Sequence, residues 1–173
     1  MKYKILTVVL LILLLNFNIT ANAYNHQLVK SYLTYRVKYI HDIAHNTNIK
    51  LSKERATEYA QSIIHWSDYY SSEFEVKIDP LLVAAILETE TNFVSREDYD
   101  NGKSIGISSM KVKTAKWIAN KLNVNYNKWR MLDATDLGIR FTVYYLAKSH
   151  QKYNNLNKVI ASYTQGLNNV TNN

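Results

Sequence analysis

The stretch Asp79-Pro80-Leu81-Leu82-Val83-Ala84-Ala85-Ile86-Leu87-Glu88-Thr89-Glu90-Thr91-Asn92-Phe93 reads as a helix that is apolar on every side until its last turn. Asp79 is a carboxylate N-cap, and Pro80 sits at the first helical position, where its missing N–H costs nothing. A helix with no polar face belongs in the middle of a domain, because no side of it tolerates water. Two acids, Glu88 and Glu90, stand near its C-terminal end. Val83, Ile86 and Leu87 lie seven, four and three residues before Glu90, so its side chain emerges from an apolar stripe. A carboxyl so placed, near the negative end of a helix dipole, is expected to hold its proton above the ordinary glutamate range. That is the property of a general acid. The alternative is a helix end with both acids solvated.

Helical periodicity continues outward in both directions. Leu28, Tyr32, Tyr35, Tyr39 and Ile43 mark a first helix over 25–45, with that stripe as its expected buried face. Ser52 caps a second helix reaching about Phe74, with Ala56, Tyr59, Ala60, Ile63, Ile64 and Tyr70 inward. From Val94 to Ser109 the pattern turns to charges, Gly102, Gly106 and short apolar alternation, predicting a loop with a small hairpin. Helices return over 111–122, 135–153 and 156–165, joined by Asn-rich connectors at 123–127 and 154–157. The expected fold is predominantly α: a helical domain with a small loop or β-hairpin insertion beside the central helix. No internal repeat or long linker divides it. The expected organisation is a leader over 1–23, N-terminal helices over 24–75 and the main domain over 76–173.

Composition narrows the chemistry. The 173 residues include no cysteine, which removes disulfides, thiolate metal sites and a cysteine nucleophile. Four glycines and one proline are too few for a sandwich or barrel. Lys2 and Lys4 precede an apolar run from Ile5 to Leu15, and Ala21-Asn22-Ala23 matches a signal-peptidase site. Eleven residues, all apolar but Thr7, fall short of the about 20 that span a bilayer. Export with cleavage after Ala23 is therefore expected, and it would lower the formal charge from +7 to +5. A cationic exported chain suits polyanions such as nucleic acid, anionic lipid or carboxylate-bearing wall glycan.

Three ordered motifs choose among these. The run from Ala85 to Phe93 resembles the catalytic segment of lytic transglycosylases of the soluble-lytic-transglycosylase type, relatives of goose-type lysozyme. Ser104-Ile105-Gly106-Ile107-Ser108-Ser109-Met110, followed by Thr114-Ala115, is similar to that family's Gly-Leu-Met-Gln block. Ala161-Ser162-Tyr163-Thr164-Gln165-Gly166 is similar to its Ala-Ala-Tyr-Asn-Ala-Gly block, and Leu132-Asp133 and Tyr145-Leu146 fit the helix leading into it. The resemblance covers roughly 78–170. It implies a lysozyme-like fold and a lyase of periplasm or cell envelope. The bond cleaved would be the β-1,4 link from N-acetylmuramic acid to N-acetylglucosamine, with a 1,6-anhydro ring formed. Glu90 would be the catalytic acid and base. Thr91, Gly106, Ser109, Met110, Tyr163 and Thr164 would line the substrate groove, with Gly106 allowing close backbone approach. Ser109 replaces the usual Gln, Thr164 the usual Asn and Thr91 the usual Ser. The resemblance implies no cofactor and no nucleic acid. Its partners would be peptidoglycan glycan strands and a cell-envelope secretion or conjugation apparatus.

Other readings stay open. Glu97, Asp98 or Asp100 could hold a water for a lysozyme-type hydrolysis. A wall-binding relative without activity is also compatible with the altered Ser109 and Thr164. His41-Asp42-Ile43-Ala44-His45 places two imidazoles at i and i+4, the spacing of a zinc hydrolase helix, although Asp42 is shorter than the Glu such a site needs and no third ligand follows. Two exposed histidines are the ordinary reading of that pair.

Overall fold

The computed structural model describes residues 26–44 and 50–170. The expected leader and His45 lie outside them. The architecture is helical throughout, save one two-stranded hairpin. Helix α1 covers residues 26–44, α2 Lys53–Phe74 and α3 Pro80–Thr91. Strands β1 (Ser104–Ile105) and β2 (Met110–Lys111) pair antiparallel, Ile105 opposite Met110. Helices α4 (Val112–Lys121) and α5 (Lys128–Leu132) lead to a π-helical turn over Ala134–Gly138, then to α6 (Ile139–Tyr153) and α7 (Leu156–Gln165). Among the described residues no helix is long and apolar enough to cross a membrane.

Helix α6 lies between α2 and α7 and contacts α4 as well. Phe141, Val143, Leu146 and Ala147 fill its buried faces against Ala56, Ala60 and Ile63 in one continuous core. Tyr70 and Tyr144 meet edge to face at 5.5 Å, and Arg140 Nε donates to the Tyr70 hydroxyl at 3.2 Å, so a polar tip is satisfied inside an aromatic cluster. Between α6 and α7 the packing is polar and close. Tyr145 donates its hydroxyl hydrogen to the Ser162 carbonyl at 2.8 Å, and Ser162 Oγ to Ser149 Oγ at 2.8 Å. Two buried serines let the helices approach while every hydroxyl finds a partner.

The helix starts are built as the sequence predicts. Ser52 Oγ accepts from the Arg55 N–H, and Asp79 Oδ1 from the Leu81 N–H ahead of Pro80. Four features depart from expectation. Helix α5, for which no helix is expected, follows directly on the 123–127 connector, whose last residue Asn127 is its cap. The helix expected from Thr135 begins instead as the π turn. Asp133 accepts there from the Thr135 N–H and Oγ1, and pairs with Arg55 Nη2 at 2.6 Å. Burial would raise the Asp133 carboxyl, but hydrogen bonds from Arg55 and Thr135 outweigh it and hold it below its ordinary value. Finally, the expected inner face of α1 is its outer one: Tyr35 is 64% exposed and Ile43 61%, whereas Leu33 and Val37 are fully buried. Helix α3 is likewise open on one side, at Leu81 and Ala85.

Candidate active site

Helix α3 ends abruptly. Asn92 and Phe93 take left-handed backbone conformations (φ 52° and 61°), and Phe93 is fully buried. The cost of placing a bulky aromatic at positive φ is met by that burial. The reversal ends the helix and leaves its last turn facing the β1–β2 hairpin. Between them, closed on the far side by α7, lies a cleft of about 320 Å³. Glu90, Ser109, Met110, Tyr163, Thr164 and Asp100 line it, with Tyr145, Lys111 and Thr114.

Glu90 is half-buried and makes no hydrogen bond or ion pair among the described residues. Loss of water raises its carboxyl above the ordinary glutamate value, with no countervailing donor or cation. Glu88 points elsewhere. Arg36 of α1 grips it with Nε on Oε2 at 2.9 Å and Nη2 on Oε1 at 2.6 Å, a bidentate pair. Residues two apart on a helix face different directions, so one carboxyl fastens the helix to α1 while the other stands in the cleft.

Tyr163 sits across from Glu90 on α7, its ring edge to face with Tyr145 at 5.6 Å. Its hydroxyl donates to the Ser108 carbonyl at 3.2 Å, tying α7 to the hairpin. Burial pushes the phenol well above its ordinary range, and the nearby Glu90 carboxyl adds to the rise. Thr164 is exposed on the cleft rim, its hydroxyl donating to the Ala161 carbonyl at 3.1 Å. Ser109 is half-buried and takes a left-handed conformation (φ 47°) at the hairpin turn.

Two expected groove residues are placed behind the cleft rather than in it. Thr91 is 6% exposed, and its Oγ1 bonds to the carbonyls of Leu87 and Ile107, stitching the end of α3 to the hairpin. Gly106 is buried, and the close approach it permits is to its own protein: a Cβ there would stand 2.7 Å from the Met131 carbonyl oxygen, at φ +82°. Both residues shape the cleft without lining it. Of the loop acids, Asp100 lines the cleft, whereas Asp98 does not and Glu97 pairs with Lys128. His41, read as exposed, is 7% exposed on the inner face of α1, and the described residues contain no cluster of three or more His, Cys, Asp or Glu side chains that could hold a metal.

A family model described as the Transglycosylase SLT domain matches residues 71–173. The chain belongs to this family. Searches of curated proteins and of solved structures return no significant match. The helical architecture with its small hairpin is the lysozyme-like fold of the SLT domain, and the class of activity is that of lytic transglycosylases, with peptidoglycan as substrate.

The cleft contains more than the motifs nominated. Tyr145 was read only as part of a helix, and Lys111 follows a nominated block without belonging to it. Both reach the cleft because the strand and helix carrying them border it, a juxtaposition that no local spacing encodes. Asp100 is the exception: it was visible as one of three acids in the loop, and its left-handed backbone (φ 52°) turns the chain there.

Proposed function

We propose that the protein cleaves the β-1,4 bond between N-acetylmuramic acid and N-acetylglucosamine, with Glu90 as acid and then base, leaving a 1,6-anhydromuramic end. The observation carrying this reading is the solitary, desolvated Glu90 carboxyl in a cleft, with its neighbour Glu88 already spent on Arg36. Protonated Glu90 donates to the glycosidic oxygen as the C1–O bond breaks, and the ring passes through an oxocarbenium-like state. The carboxylate then takes the proton of the same sugar's 6-hydroxyl, whose oxygen bonds to C1. The proton count balances and no water is consumed. Because the nucleophile belongs to the substrate, proximity replaces a second carboxylate. Met110 and the rings of Tyr145 and Tyr163 offer apolar wall to a sugar face, and Ser109 and Thr164 offer hydroxyls. The leader expected over 1–23 from its sequence supports a site of action in the periplasm or cell envelope.

Asp100 supports one rival, hydrolysis by a water that this second carboxylate orients. The first test is substitution. Glu90→Gln keeps the volume but cannot pass a proton, so clearing of purified wall should fall by a factor of about a thousand or more. Glu88→Gln should retain most activity. A silent Glu88→Gln enzyme beside an active Glu90→Gln enzyme contradicts the assignment.

A further inference from the structure

The aromatic stripe that α1 turns outward borders a second concavity, of about 650 Å³, between α1 and the start of α2. It shares no lining residue with the catalytic cleft. On its floor and rim Tyr35 and Tyr39 lie parallel, ring centroids 5.7 Å apart and planes within 14°, and both are exposed. Four lysines line it (Lys30, Lys38, Lys50 and Lys53) against one acid, Asp42. Asp42 is already committed: Lys38 Nζ donates to it at 2.6 Å and the Leu51 N–H at 2.9 Å. Those bonds, the lysine's first, hold its carboxyl below the ordinary range. The lining is therefore cationic at any pH at which its lysines are charged.

Two exposed, stacked phenol rings are an odd use of a surface helix, since they leave apolar area in water that burial would remove. Their flat faces suit a ligand that is itself a flat, mostly C–H surface with polar edges, and a pyranose ring is one. The lysines add a demand for negative charge. A sugar polymer carrying carboxylates meets both conditions.

We infer that this α1–α2 groove is a second glycan-binding site, holding a stretch of peptidoglycan strand by ring stacking on Tyr35 and Tyr39 while its carboxylates face Lys30, Lys50 and Lys53. The inference rests on the proposed substrate and goes beyond it, because nothing in the catalytic cycle needs this groove. It gives a small enzyme a grip on an insoluble polymer, raising the effective concentration of bonds at the cleft without a new catalytic contact. Binding through these lysines should weaken as salt is raised.

The test uses the full chain carrying Glu90→Gln, pelleted with purified wall sacculi, with and without Tyr35→Ala/Tyr39→Ala or Lys30→Glu/Lys53→Glu. Either pair should weaken sacculus binding roughly tenfold. The same pairs in the active enzyme should slow digestion of sacculi and leave turnover of a soluble tetrasaccharide of the wall repeat unchanged. Equal sacculus affinity in all variants overturns the inference. So does loss of binding to anionic phospholipid vesicles with sacculus binding intact, which would make the face a membrane contact. If the parent enzyme cleaves neither substrate yet the paired variants still lose the sacculus, the catalytic reading fails and this one stands.

Discussion

Glu88 and Glu90 stand two residues apart in the last turn of α3, one held by the Arg36 guanidinium and the other facing a cleft with no hydrogen-bond or ion-pair partner among the described residues. The sign of the resulting pH dependence follows from desolvation alone. Glu90 holds its proton more tightly in the folded chain than in the unfolded one, so the folded state binds more protons between the two pKa values. Stability contributed by the protonated form is complete below the unfolded pKa and is lost as pH rises through the folded one. Glu90→Gln should therefore melt at or above the parent's temperature at pH 7, with the difference vanishing toward acid, as thermal unfolding across pH would record. Activity should fall through the same raised pKa as pH rises, because the leaving oxygen needs the protonated acid. No second carboxylate limb should appear on the acid side, whereas an enzyme relying on ionised Asp100 would give a bell-shaped profile. The half-buried setting of Glu90 was legible in the sequence because seven, four and three residues before it lie Val83, Ile86 and Leu87, whereas its role as the acid is implied only by the resemblance. The role of Glu88 was not legible, since its partner Arg36 is fifty-two positions away.

At the scale of elements, helix boundaries were legible and faces were less so. Helix α1 carries two stripes at the same spacing, one with Tyr32, Tyr35 and Tyr39 and one with Val29, Leu33, Val37 and Ile40. Periodicity finds both and ranks neither. Packing chose the aliphatic stripe, which has no hydroxyl to satisfy, and sent the phenols to water. The hairpin shows a similar limit. Its Gly106 was expected to let a sugar approach, but the surface that approaches it is the Met131 carbonyl. Gly106→Ala should accordingly act through stability. A Cβ at positive φ, pressed against backbone, is expected to cost about 2–4 kcal/mol, lowering Tm by roughly 5–15 °C. Calorimetry checks it. A variant of unchanged Tm that has lost only substrate affinity would return Gly106 to the groove.

Across the whole molecule, the elements before residue 71 are bound to the matched region by the α2–α6 core and by the Arg36–Glu88 clamp, which fastens α3 to α1. On the proposals above, the cleft cleaves and the lysine-lined groove holds. The fold and family could be anticipated from three ordered motifs; the groove could not, because it forms where residues from α1 and α2 converge. What separates transglycosylation from hydrolysis is the identity of the nucleophile, and the product carries that record. Mass spectrometry of muropeptides released from purified wall should show muramic acid ends in the 1,6-anhydro form, lacking a reducing end and one water lighter than the hydrolysed product. Asp100→Asn should leave that product and its rate nearly unchanged. Reducing muramic acid as the main product, with a loss of about a hundredfold or more in Asp100→Asn, would contradict the account and make water the nucleophile.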